Sequence, residues 1–147
     1  MTVKQISVFV ENQPGHLLEF TELLEKHGIN MHALSIAETE DFGILRVIVD
    51  DAYKAVRMLK EEGYVCSLTP VLAVEISDEL GGLVKVLKCL KENDVNLEYT
   101  YAFITRKKDK AYMILRVTDN EKAIDVLVRN GIKPICQDEL ASLFAKD

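Results

Sequence analysis

The sequence predicts an α+β chain made of two consecutive βαββαβ units, with two helices on one face of an antiparallel sheet in each. Three observations carry this expectation: an internal repeat, matched Gly and Pro punctuation in both copies, and apolar periodicity that switches between strand and helix spacing. At a shift of 66 residues, Gly15-His16-Leu17-Leu18 falls on Gly81-Gly82-Leu83-Val84, and Ile29-Asn30 falls on Val95-Asn96. The shift becomes 70 where Leu45-Arg46-Val47 meets Leu115-Arg116-Val117, and 68 where Ala55, Leu59 and Gly63 meet Ala123, Leu127 and Gly131. A drifting offset is what two diverged copies show when their loops differ in length, and such repeats set the architecture before any single motif does.

In the first copy, Ile6 to Val10 alternates as a strand, and Asn12-Gln13-Pro14-Gly15 ends it. Leu17, Leu18, Phe20, Leu23 and Leu24 recur at helical spacing, and Gly28 stops that helix. Two strands follow, Ile29 to Thr39 and Ile44 to Val49, joined by a turn at Glu40 to Gly43. A helix from Tyr53 to Glu62, ended by Gly63, and a strand from Tyr64 to Leu68 complete the unit.

The second copy reads as strand Val71 to Ile76, helix Gly82 to Asn93, strands Asn96 to Ile104 and Ala111 to Val117, and helix Glu121 to Asn130. A short strand from Ile132 and a tail helix from Glu139 to Ala145 follow, with Asp138 as its N-cap. The hairpin Arg106-Lys107-Lys108-Asp109-Lys110 is basic. Thr69-Pro70 is the only break between copies, which sets domains at 1–69 and 70–147. Apolar residues on both sides of Ile44 to Val49, and Leu97, Tyr99, Tyr101 and Phe103 along one face of theirs, imply sheets that need partners. Units this small gain stability by pairing, so a homodimer is expected as well.

Composition narrows the function classes. The chain has 147 residues, 48% of them hydrophobic and 29% charged, with a net charge of −6. That balance excludes a disordered chain and disfavours a nucleic-acid binder, which needs a cationic footprint. An RNA-recognition sheet would also carry spaced aromatics on its third strand, where Ile44-Leu45-Arg46-Val47 and Tyr112-Met113-Ile114-Leu115 stand instead. Three scattered cysteines, Cys66, Cys89 and Cys136, fit free thiols in a reducing cytoplasm. The N-terminus runs into a strand without a signal-peptide pattern, and no apolar run approaches the ~20 residues of a membrane span. Three histidines form no catalytic or metal-ligand motif, so no enzyme, metal or cofactor is expected.

The residues that point to chemistry lie where each first strand turns into a helix. Gly15 and Gly81 sit at helix starts, where unpaired backbone N–H groups and the positive dipole end suit a carboxylate. Asn12 and Asp78 stand three residues earlier and bring polar atoms to the same mouth; as turn residues they would do so without a ligand. Asn30 and Asn96 begin the second strands, fifteen residues after each Gly, at the opposite end of their own sheet. Of the histidines, His16 is expected at the surface beside the mouth, His27 solvated at a helix end, and His32 on an edge strand.

Asn12-x-Pro14-Gly15-x-Leu17 followed by Gly28-Ile29-Asn30 resembles the ACT domain, an amino-acid-sensing ferredoxin-like module. Asp78-Glu79-Leu80-Gly81-Gly82-Leu83 keeps the Asp and Gly of that pattern but lacks the Pro, and Asp94-Val95-Asn96 replaces Gly-Ile-Asn. The resemblance implies two tandem ACT units with sheets packed edge to edge and a non-catalytic regulator that clamps a free amino acid between them. The ligand set it implies is Asn12, Gly15, His16, Leu17 and Asn30 in the first copy, and Asp78, Gly81, Gly82, Leu83 and Asn96 in the second. It also implies a metabolic enzyme as partner, in the manner of acetolactate synthase small subunits.

Overall fold

A computed structural model describes residues 1–104 and 109–144. Arg106, Lys107 and Lys108 of the expected basic hairpin, and Ala145 of the tail helix, lie outside the described residues. The chain divides into two compact units, one of Lys4–Thr69 and one of Met1–Val3 with Pro70–Asp147.

The first unit contains β1 (Val3–Glu11), α1 (His16–Lys26), β2 (Met31–Glu38), β3 (Phe42–Val49), α2 (Ala52–Glu61) and the start of β4 (Cys66–Ser77). Its strands run in the order β2-β3-β1-β4. β3 pairs antiparallel with β1, Val8 opposite Leu45, and with β2, Leu34 opposite Val47. Ile6, Val8, Leu45, Val47 and Val49 project to the helical side and bury Phe20 and Leu24 of α1 and Ala55 and Leu59 of α2. Phe20 meets Tyr64 edge-on at 5.9 Å. Each fully buried aliphatic or aromatic side chain of this kind contributes about 1.5–3 kcal/mol.

The second unit continues from β4 through α3 (Gly82–Glu92), β5 (Leu97–Ala102), β6 (Lys110–Val117), α4 (Asn120–Arg129) and α5 (Gln137–Phe144), with strand order β4-β6-β5. Leu72, Val74, Leu115 and Val117 face Val86 and Leu90 of α3 and Ala123 and Leu127 of α4.

The four repeat helices end alike. Ile29, Tyr64, Val95 and Ile132 each donate an N–H five residues back, to Leu24, Leu59, Leu90 and Leu127, and the preceding residue is left-handed. This is the Schellman geometry, which satisfies carbonyls that the helix end would orphan. Because Ile29 is consumed by its cap, β2 begins at Met31, later than the apolar pattern alone suggests.

Helix starts divide into two kinds. Asp51 caps α2 by accepting from the Lys54 N–H at 3.0 Å, and Asp119 caps α4 by accepting from Lys122 at 3.1 Å. α1 and α3 instead follow Gly15 and Gly81, both at φ 87°, with no side-chain cap.

Several expectations are corrected. The strands expected at Tyr64 to Leu68 and Val71 to Ile76 are a single one, β4, with Thr69-Pro70 inside it where the two units divide: proline's fixed φ fits an extended strand where no N–H is needed. The Pro70 carbonyl accepts from Arg116 Nη1 and Asn120 Nδ2, each at 3.2 Å. The strand expected from Ile132 shrinks to one bridge between Pro134 and Val74, because Pro134 has no N–H to extend the ladder. The tail helix begins at Gln137, which places Asp138 in its first turn rather than at its cap.

Leu97 does not share a face with Tyr99 and Tyr101. A β-bulge at Glu98 shifts the register from Leu97 opposite Val117 to Tyr99 opposite Arg116, so Leu97 joins the helical core while the tyrosines face away. The first unit has the same irregularity at His32, between Met31 and Ala33. One extra residue reverses the inside-outside alternation beyond it.

Candidate functional site

Each Gly loop is anchored at the hairpin end of its sheet. The Asn12 N–H donates to the Asp41 carbonyl at 3.0 Å, and the Asp78 N–H makes the matching bond to Asp109 at 3.1 Å. Asn12 goes further: its Nδ2 donates to the carbonyls of Thr39 at 3.0 Å and Glu40 at 3.4 Å, which ties the loop to the β2–β3 turn. Asp78 has no N–H in its side chain and cannot make that tie.

Gly15 and Gly81 are exposed, and a Cβ built on either would meet nothing within 4 Å. Their left-handed backbone therefore demands glycine while the space before them stays open. Beyond them, the N–H groups of Leu17 and Leu18, and of Leu83 and Val84, have no hydrogen-bond partner among the described residues. Gly82 is different, since a Cβ there would collide with the Ser77 carbonyl; its role is close packing of the loop. His16 and Leu83 are half-buried and Leu17 is exposed, all in the first turn of their helices.

Asn30 and Asn96 are exposed and lie at the far end of their own β-hairpins. The Asn30 N–H donates to Asp50 Oδ1 at 3.1 Å, and the Asn96 carbonyl accepts from Thr118 at 3.2 Å. Within one unit, Asn12 with Gly15 and Asn30 are held at opposite ends, so neither unit alone assembles its set of three.

The histidines divide. His32 is buried at its bulge, and burial pulls its pKa below the ordinary value, with Asp50 opposing that shift. His27 is not solvated as expected: its Nε2 is shielded and has no hydrogen-bond partner among the described residues. It follows Phe20 and Leu24 at seven and three residues, which puts it on the buried stripe of α1.

The second unit contains a cavity of about 560 Å³ that the sequence did not announce. It is lined by Gly81 and Gly82, by Lys85 and Val86 of α3, and by Ile132, Lys133 and Glu139. Lys133 Nζ lies 3.4 Å from Glu139 Oε1, and the Cys136 thiol donates to the same oxygen at 3.2 Å. That thiol contact, aided by Lys133, holds the Glu139 carboxyl below its usual range. Glu75, also at this cavity, accepts from the buried Tyr112 hydroxyl at 2.8 Å and pairs with Lys110 at 3.0 Å. Burial first, and then this carboxylate, pushes the Tyr112 pKa up to about 12. No repeated motif marks these residues: Glu139 lies on α5, which has no counterpart in the first copy, and Lys133 stands where that copy has Val65. A second hollow of about 410 Å³ borders Asn96, between Leu87, Lys91 and Asp94.

The family model for an ACT domain pair matches residues 1–144. The chain belongs to that family. ACT domains are regulatory modules, and membership in the family supports a regulatory, ligand-binding role for this pair. The crystal structure of protein BT0572 from Bacteroides thetaiotaomicron is similar at a TM-score of 0.90 and 38% identity, over 97% of this chain and 98% of that one. The regulatory subunit of aspartate kinase from Thermus thermophilus, in ligand-free form, shares the fold at a TM-score of 0.63 and 17% identity, covering 86% of this chain and 90% of that one. Its counterpart from Thermus flavus does so at 0.60 and 16%, with the same coverages. No curated protein matches the sequence of this pair. Among the described residues of the ACT pair, no helix is long and apolar enough to cross a membrane.

Proposed function

We propose that this ACT domain pair binds a free amino acid at its Gly loops and passes the binding on to a metabolic enzyme, without catalysing a reaction itself. The observation that carries the reading is the division of helix starts. α2 and α4 are closed by Asp51 and Asp119, whereas α1 and α3 begin at an exposed Gly with unpartnered N–H groups. A carboxylate is the group such a start attracts, through hydrogen bonds and the helix dipole together. The in-trans regulatory-subunit reading is supported by the shared fold of the Thermus thermophilus aspartate kinase regulatory subunit. A homodimer in the cytoplasm fits the free thiols of Cys66, Cys89 and Cys136 and the exposed Phe9–Phe42 ring pair.

Thermal unfolding of the full chain with each of the twenty amino acids tests this. A ligand at 100 times its Kd adds ~2.7 kcal/mol to stability, a readily measured rise in Tm. The Gly15→Val, Gly81→Val double variant abolishes that rise. A flat response to all twenty refutes the reading.

A further inference from the structure

Phe9, Phe42 and Val65 form an apolar corner on the face of the first unit's sheet turned from α1 and α2. Val8 and Leu45 point to the helices, so Phe9 and Ile44, paired across β1 and β3, point away from them. Cys66 and Leu68 of β4 also pack toward the helices, which turns Val65 outward, and its carbonyl accepts from the Phe9 N–H at 3.0 Å. The Phe9 and Phe42 rings lie 6.4 Å apart, and Phe9, Phe42 and Val65 are 51%, 46% and 67% exposed.

The second unit shows that the fold does not need this corner. The Asn12 N–H bonds Asp41 as the Asp78 N–H bonds Asp109, so Phe9 and Phe42 stand where the second unit has Glu75 and Lys110. Val65 follows the capping bond of Tyr64 as Lys133 follows that of Ile132. The second corner is charged throughout: Glu75 pairs with Lys110 at 3.0 Å and accepts from Tyr112, the counterpart of Ile44. Exposed aromatic residues that the same architecture replaces with charges mark an interaction surface.

We propose that two copies of the chain pair face to face through this corner, about a two-fold axis. This rests on the homodimer reading above and supplies its surface. The rows across β1 and β3 are self-complementary: Glu11 stands opposite Phe42, Phe9 opposite Ile44, and Ser7 opposite Arg46. An axis across the strands at the Phe9–Ile44 row sets the Glu11–Phe42 row of one copy over the Ser7–Arg46 row of the other. Arg46 then meets both the Phe42 ring and the Glu11 carboxylate, a cation–π contact beside an opposite charge. Because the second unit carries charges at the same places, each chain offers one such corner, and the contact closes at two copies.

The test is sedimentation equilibrium of the full chain, in which the wild type is expected to be dimeric. Phe9→Glu with Phe42→Lys, which carries the second unit's ion pair into the first, weakens the dimer at least tenfold. Val128→Lys, at an exposed apolar residue of α4, does not. Glu11→Arg weakens it as well, and adding Arg46→Glu restores it. A monomeric wild type overturns the surface and the homodimer reading together, and leaves the corner to a partner protein. A dimer untouched by the Phe9 and Phe42 exchange, or weakened equally by Val128→Lys, overturns this surface and leaves the homodimer standing. Failure of Arg46→Glu to restore the dimer overturns the two-fold register. The amino-acid reading is decided separately, by the panel of twenty.

Discussion

Gly28 and Asp94 end the first helix of their respective units in the same left-handed conformation, at φ 67° and 54°. The following Ile29 and Val95 make the same N–H bond, 2.9 Å long, back to Leu24 and Leu90. For an L-residue the left-handed region costs roughly 1–2 kcal/mol, which Asp tolerates better than most.

Asp94→Gly therefore raises stability. Relief of backbone strain outweighs the added freedom of the unfolded chain, leaving a net gain of about 0.5–1 kcal/mol. Urea unfolding of the variant shows a higher midpoint at unchanged slope. The reverse exchange, Gly28→Asp, lowers the midpoint.

Asn12→Ala loosens the first Gly loop. It removes two side-chain hydrogen bonds, to the Thr39 and Glu40 carbonyls, at an exposed site where water replaces them in part. The expected cost is about 1 kcal/mol. Hydrogen exchange quickens at Phe42 and Gly43 while the α2 amides hold. An unchanged pattern at the turn would show that the backbone bond to Asp41 alone holds the loop.

His32 makes stability depend on pH. Its folded pKa lies below the unfolded value of ~6.5 because burial penalises the charged ring. Between those two values the unfolded chain binds more protons, so stability rises with pH. The contribution is complete above about pH 6.5 and is lost as pH falls through that value toward the folded pKa. Tm measured between pH 8 and pH 5.5 falls further in the wild type than in His32→Gln. Parallel curves would count against a neutral buried His32.

Much of the fold was legible because it was written twice. Gly15 with Gly81, and Gly63 with Gly131, marked helix boundaries that side-chain propensity alone leaves vague. What escaped were single-residue effects. A bulge at Glu98 moves Leu97 to the opposite face from Tyr99, and no periodicity in a six-residue strand reveals one extra residue. Pro70 and Pro134 carry the same residue type with opposite outcomes. The first lies within a strand and the second cuts one short, since the effect depends on whether the missing N–H was needed. At the candidate site, Gly15 and Gly81 were readable from local backbone demands. Lys133 and Glu139 were not: Glu139 lies on α5, which has no copy in the first unit, and Lys133 replaces Val65 of the first copy, so neither is marked by the repeat.

The two glycine-led helices, α1 and α3, have a further consequence. Neither first turn is held by a side-chain cap, as Asp51 and Asp119 hold those of α2 and α4. Under the function proposed above, a bound carboxylate would be a removable cap. Occupancy would then be written into the chain as the tightening of a single helical turn, and a partner touching that turn would meet a firmer surface when the cap is on.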